Sequence, residues 1–220
     1  MGASRPYTTR TWSDGVQIDC LRVPLYTQPD DEPLCFAYCV KMILDYFKNI
    51  YPDEKVRRTV NSLDIDEIAK ILDIKEDGWV MSEKRLQQLS EATASLEFVY
   101  SEMVDMSILE ANLSAHIPKI IIFDKLYLID SNYLLLEPML HSAVVVGLED
   151  EQWIVLNDPW GQGYERIDIA NFYDAWDRAC RAVVEVKVNI RAVQLTLDES
   201  LKETYKSRKE KELGMGENHD

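Results

Sequence analysis

Histidine is scarce in this chain of 220 residues, with only three, at His116, His141 and His219. Any chemistry that needs an imidazole base must use one of them. Basic residues are also short: 24 Lys and Arg face 39 Asp and Glu, a formal charge of −15. That balance argues against a nucleic-acid partner, because phosphate contacts need a basic patch. It suits a basic partner, although acidity also serves solubility. No apolar run reaches the length needed to cross a bilayer, and the first residues lack the apolar core of a secretory signal. The sequence therefore predicts a cytoplasmic protein. With only 8 Gly and 8 Pro it is not of low complexity, and 46% hydrophobic residues supply a sizeable core.

Four cysteines are too few for a disulfide scaffold at this length. Cys35 and Cys39 stand four apart in a stretch, Leu34 to Phe47, whose apolar residues recur at helical spacing. Asp30 and Asp31 are good capping types, and Pro33 suits a first helical turn. Cys35 is thus expected in the first turn of a buried helix, where the positive end of the dipole favours a thiolate. Cys39 and Cys180 read as core residues. Gln28, seven residues upstream of Cys35, is placed to fold back and donate to an oxygen that becomes negative during attack.

Along the chain, residues 1–15 read as a loose N-terminus and residues 196–220 as a charged tail. Between them lies one domain, mainly helical over about 16–117 and mainly β over about 118–195. Val16 to Tyr26 alternates like a strand, and Tyr51 to Asn61 reads as a polar connector. Asp64 with Glu67, and Ser107 with Glu110, have capping-box spacing. Ser82 is a further cap. Strands are expected at Leu96–Tyr100, Lys119–Phe123, His141–Val146, Trp153–Leu156 and Cys180–Ile190. A long loop spans 124–139, and a short helix spans Ile167–Trp176. The fold class is α+β.

A cysteine nucleophile needs a base, and the base needs a group to hold its ring. His219 lies in the tail and His116 at a helix end, where a cap is the ordinary reading. His141 opens a strand after the long loop. Asp158 follows the next strand, and in an antiparallel hairpin the start of one strand lies beside the end of the next. Asn157 is the other residue there able to hold an imidazole. A zinc site of Cys35, Cys39 and His141 lacks an evident fourth ligand. No cofactor is implied.

These segments read VPLYTQ, CFAYCVKMILDYF, LSAHIPKIIIF, LHSAVVVGLED and WIVLNDPWG. In this order the chain resembles the papain-like peptidases that process double-glycine leaders of bacteriocins, and the stand-alone domains similar to them. The resemblance runs from about Val23 to Trp176. It implies a papain-like fold and cysteine-peptidase chemistry. Cys35 would be the nucleophile, His141 the base, Asp158 its orienter and Gln28 an oxyanion donor. Phe36-Ala37 stand where such relatives carry Gly-Pro, and Leu140 stands where they carry Gly. Two functions of different class follow. One is a thiol-dependent hydrolase cleaving a peptide or amide bond through an acyl-enzyme. The other is a non-catalytic papain-like module that binds a peptide or protein.

Overall fold

The computed structural model describes residues 6–29, 32–76, 78, 80–129, 139–149, 152–161 and 163–196. Its centre is helix α1 (Cys35–Asn49), nine of whose 15 residues are buried, from Phe36 to Phe47. A helix apolar on most sides belongs inside a fold, and α1 packs against strands, β4 (Lys119–Asp124) and β5 (Leu140–Glu149), and against helices, α2 (Glu54–Thr59) and α3 (Ile65–Leu72). Phe47 is fully buried. Cutting such a ring back to Ala costs about 3–5 kcal/mol, enough to threaten a domain of ordinary stability.

The strands β3 (Leu96–Ser101), β6 (Trp153–Asn157), β7 (Tyr164–Asp168) and β8 (Val183–Val188) join β4 and β5 in one sheet, ordered β3-β8-β4-β5-β6-β7. Every neighbouring pair is antiparallel. β3 comes from the mainly helical part of the chain yet forms an edge of this sheet, so one core joins the two parts. Helix α7 (Ile169–Asp177) lies on β4, β6 and β7. Helices α4 (Glu83–Thr93) and α5 (Met106–Ser114) pack on β3 and β5 respectively, and the short α6 (Lys125–Ile129) follows β4 directly.

Several elements differ from the sequence expectation. Residues expected to be loose form β1 (Tyr7–Thr11), paired with β2 (Gln17–Leu21). Tyr-Thr-Thr-Arg-Thr is strand-prone, and Asp14-Gly15 provides the hairpin turn, with Gly15 at φ 86. The Tyr7 hydroxyl donates to the Leu113 carbonyl and ties this ribbon to α5. The polar connector contains α2, capped by Asp53, whose carboxylate accepts from Lys55 N at 2.8 Å. Ser107 does not cap α5. Asp105 is the N-cap residue, and its carboxylate pairs with Arg181 at 3.2 Å instead of with the helix. The helix expected from Ile167 starts at Ile169, because Asp168 accepts from Ala170 N and Asn171 N, and Ile167 belongs to β7. Ser82 stands at the N-cap of α4 without a side-chain cap bond. The capping box of Asp64 and Glu67 on α3 is present with both its bonds. The expected loop at 124–139 opens with α6, and its residues 130–138 lie outside the described residues, as does the tail over 197–220.

The register of the β5–β6 hairpin sets up the site. A bulge in β5 between Val145 and Gly147 shifts the ladder. A Cβ at Gly147 would sit 3.0 Å from Cys20 Sγ and 3.3 Å from the Asp19 carbonyl, so β2 crosses here only because the side chain is absent. Beyond the bulge Val144 faces Asn157. Residues alternate across a strand, so His141 and Asp158 fall on one face and Asn157 on the other.

Candidate active site

Cys35 is the first residue of α1. Its N-cap is Leu34, with no side-chain cap bond, and no acid stands in the first turn. Pro33 therefore lies just ahead of the N-cap and not in the first turn. Asp30 and Asp31, the expected capping residues, lie outside the described residues. The half-buried thiol sits at the positive end of the helix, where a thiolate is favoured. Burial by itself would push the thiol up. Hydrogen bonding and charge from His141, together with backbone and hydroxyl bonds from Ser142, outweigh that and hold it below its ordinary value.

His141 is buried at the start of β5. Its Nε2 lies 2.6 Å from Asp158 Oδ1. Phe123, its partner in β4, meets the ring edge-on at 5.6 Å. Trp160 stacks on the imidazole with centroids 5.1 Å apart and planes at 22°. Burial disfavours the imidazolium, but hydrogen bonds and charges from Asp158 and Cys35 prevail and raise the ring to about 9. Asp158, fully buried, responds in the opposite sense. Desolvation would raise it, and the bonds and charges of His141 and Lys125 hold it near about 2. Its Oδ1 also accepts from Trp160 N at 2.8 Å, and its Oδ2 accepts from Lys125 Nζ at 2.6 Å. Together these groups favour a thiolate beside an imidazolium, backed by a carboxylate.

The structure thus gathers three of the sequence-selected residues, Cys35, His141 and Asp158. Gln28 joins them at the cleft wall, buried, with its backbone N–H donating to the Pro159 carbonyl at 2.9 Å. Its side-chain Nε2 donates to the Glu32 carbonyl at 2.8 Å, which occupies one of its two N–H groups. Asn157 is not beside the imidazole: its Nδ2 donates to the Val23 carbonyl at 2.9 Å on the other face. His116 sits at φ 62 just past α5 and packs edge-on against Tyr7. His219 lies outside the described residues.

Cys39 is a core residue whose thiol is pushed well up by burial. Cys180 is not: it is exposed, in a turn at φ 56 after α7. Among the described residues no group of three His, Cys, Asp or Glu is arranged to hold a metal ion, so Cys35, Cys39 and His141 do not form such a set.

Sequence reasoning missed three contributors. Ser142 follows the histidine and lines the cleft with Cys35. Trp160 was visible only as the aromatic residue of the NDPWG segment. Lys125 gave no signal beyond being a charge directly after an apolar strand. A cleft of about 640 Å³ opens at Cys35 and His141. Its walls include Met81, Tyr100, Ile122 and Leu140, and Glu32 and Glu76 supply acidic groups.

A helix-borne cysteine facing a histidine and a carboxylate held on an antiparallel sheet defines the papain-like class of cysteine peptidase fold. Residues 20–184 match the Peptidase_C39 like family, well over half of the chain, and the chain belongs to that family. It is by family a cysteine peptidase-like hydrolase. Solved structures share the fold, two of them as follows. One, from Bacillus anthracis and described as a C39-like peptidase, is 16% identical with a TM-score of 0.55, covering 76% of this chain and 96% of that one. The other is the peptidase domain of Streptococcus ComA, a bifunctional ABC transporter involved in a quorum-sensing pathway. It is 12% identical with a TM-score of 0.53, covering 76% of this chain and 99% of that one. No curated protein sequence is detectably similar. Among the described residues no helix is long and apolar enough to cross a membrane.

Proposed function

We propose that this protein is a thiol-dependent hydrolase that cleaves a peptide or amide bond through an acyl-enzyme on Cys35. The observation that carries the reading is the His141 ring, fixed to Asp158 at 2.6 Å and lining the same cleft as the Cys35 thiol at the start of α1. In this reading the Cys35 thiolate attacks the carbonyl carbon and a C–S bond forms. The carbonyl electrons move onto oxygen. The oxyanion is met by the backbone N–H of Cys35 and the second N–H of Gln28 Nε2. It collapses, the C–N bond breaks, and the His141 imidazolium gives its proton to the departing amine. Water then loses a proton to His141, attacks the thioester and releases the acid. The proton remains on the imidazole and Cys35 leaves as thiolate, which restores the starting pair. Asp158 holds the ring throughout.

The substrate is a peptide or protein. Glu32 and Glu76 at the cleft, in a chain of net charge −15, favour a basic residue near the scissile bond. Four unpaired cysteines fit a reducing, cytoplasmic setting. The test is to incubate a complex mixture of denatured peptides with the protein or with Cys35→Ala, and to map new termini by mass spectrometry. New termini that need Cys35 and cluster beside Lys or Arg support the reading. Identical peptide maps for the two proteins would remove hydrolysis and leave the binding module.

A further inference from the structure

We infer that Lys125 is a positioning residue of this site, a buried cation on the outer oxygen of Asp158 that sets the pH range of the thiolate–imidazolium pair. This rests on the reading of Cys35 and His141 given above. Lys125 opens α6, directly after β4. Its backbone N–H donates to the Met139 carbonyl at 3.0 Å, which fixes the chain just ahead of His141. Asp124, next to it, accepts from Met139 N at 3.2 Å and from Arg178 Nε at 2.7 Å. The base of this segment is therefore pinned from both sides. The Lys125 ammonium, its side chain only 11% exposed, reaches Asp158 Oδ2 at 2.6 Å. Glu165 on β7, half-exposed, lies 3.6 Å from the same ammonium.

Such an arrangement carries a cost unless it is used. Lysine is rarely buried unless paired, and taking an ammonium out of water is expensive. Asp158 already receives two hydrogen bonds on Oδ1, from His141 and from Trp160 N. A third, charged donor on Oδ2 keeps the carboxylate ionised and drains part of its negative charge away from the imidazole. The groups that bear directly on the ring are Asp158 after β6 and Cys35 on α1, while Lys125 on α6 acts through Asp158 and Glu165 on β7 through Lys125. Phe123 and Trp160 enclose the ring without charge. Lys125 is the one cation in this set besides the imidazolium itself. Removing it exposes the ring to the full charge of Asp158, and an unneutralised carboxylate stabilises an imidazolium. The imidazole titration then moves to higher pH.

The experiment is a titration of the His141 ring by NMR, using carbon-13-labelled histidine and assigning the signal by its absence in His141→Ala. Iodoacetamide alkylation of Cys35 is followed across the same pH range. Lys125→Met keeps the length of the side chain and removes the charge. The expected result is an upward move of His141 by about one pH unit. Lys125→Arg, which keeps the cation, is expected to hold the His141 titration at the wild-type position. Glu165→Gln removes the acid that competes for the ammonium and is expected to move His141 downward. It remains informative even where Lys125→Met does not fold. A His141 titration unmoved in Lys125→Met, or in Glu165→Gln where only that variant folds, overturns the role of Lys125. Because the ring signal is read without turnover, a protein that proves inactive still decides the matter. Slow wild-type alkylation of Cys35 at every pH would count against the hydrolase reading and not against Lys125.

Discussion

His141 presents Nε2 to Asp158 at 2.6 Å, so Nδ1 is the ring nitrogen left to serve Cys35. Stacking by Trp160 and edge contact from Phe123 fix the plane of the ring between these two partners. The orientation gives the imidazole a carboxylate behind it and a thiol in front, the polarity that general acid–base work on a thiolate requires.

The pH dependence of turnover follows from this pair. The thiol lies below its ordinary value and the imidazole is raised to about 9. The state with thiolate and imidazolium therefore fills as pH rises through the thiol titration and empties as pH rises through about 9. Turnover on a peptide substrate is expected to be bell-shaped, with the alkaline limb near about 9. Alkylation, which needs only the thiolate, is expected to persist on the alkaline side. A turnover profile that keeps climbing with pH would show that no imidazolium is required.

Loss of the base and of its orienter separates in magnitude. His141→Ala is expected to abolish turnover and slow alkylation with the fold intact, since the side chain lies at the cleft. Asp158→Asn keeps the shape and removes the charge. A cost of about 10⁴-fold in turnover is expected by analogy with a serine-protease triad. Far-UV circular dichroism checks the fold of each. A larger effect from His116→Ala would move the base to the other histidine.

Gln28→Ala tests the oxyanion role. Removing one such donor typically lowers turnover by about 10²–10³-fold with little change in substrate binding. In the proposed reading α1 and His141 favour the thiolate, so alkylation of Cys35 is expected to survive. Gln28 also holds the Glu32 carbonyl. Equal loss of alkylation and turnover would therefore assign it to holding the segment before α1 and not to the oxyanion.

Stability should carry the same signature. Asp158 is depressed to about 2 when folded, against about 3.9 when unfolded, so its contribution is complete above the unfolded value and is lost as pH falls through the folded one. His141 is raised, so its contribution is complete below about 6.5 and is lost as pH rises through about 9. Chemical denaturation is expected to show stability falling on both sides of that window. In Asp158→Asn the acid-side fall should flatten, and an unchanged acid side would mean that other carboxylates govern it.

The site was legible where its parts are local. Cys35 at the start of an apolar helix, and His141 and Asp158 on one hairpin, each follow from short-range pattern. The Asp64–Glu67 box was legible for the same reason, as both bonds lie within one turn. Elements without a periodic signature were harder. Six residues make α2 too short for one, and β7, with Ile167 its single buried residue, alternates weakly. β2 falls within the strand expected at Val16–Tyr26, but its partner β1 was missed although Asp14-Gly15 marks the turn between them. Lys125 and Ser142 depend on where β4, β5 and β6 meet in space, which no local pattern encodes. Cys180 looked apolar by type, yet its position in a left-handed turn puts it outside.

The most direct measurement is the rate of iodoacetamide alkylation at each cysteine at about pH 6, well below the ordinary thiol value of about 8.5. Cys180 is exposed and serves as the internal reference, and Cys39 is buried. Alkylation of Cys35 faster than that of Cys180 despite poorer access, and lost in His141→Ala, is the predicted result. Cys35 labelling no faster than Cys180, with His141→Ala unchanged, would contradict the thiolate–imidazolium pair on which the account depends.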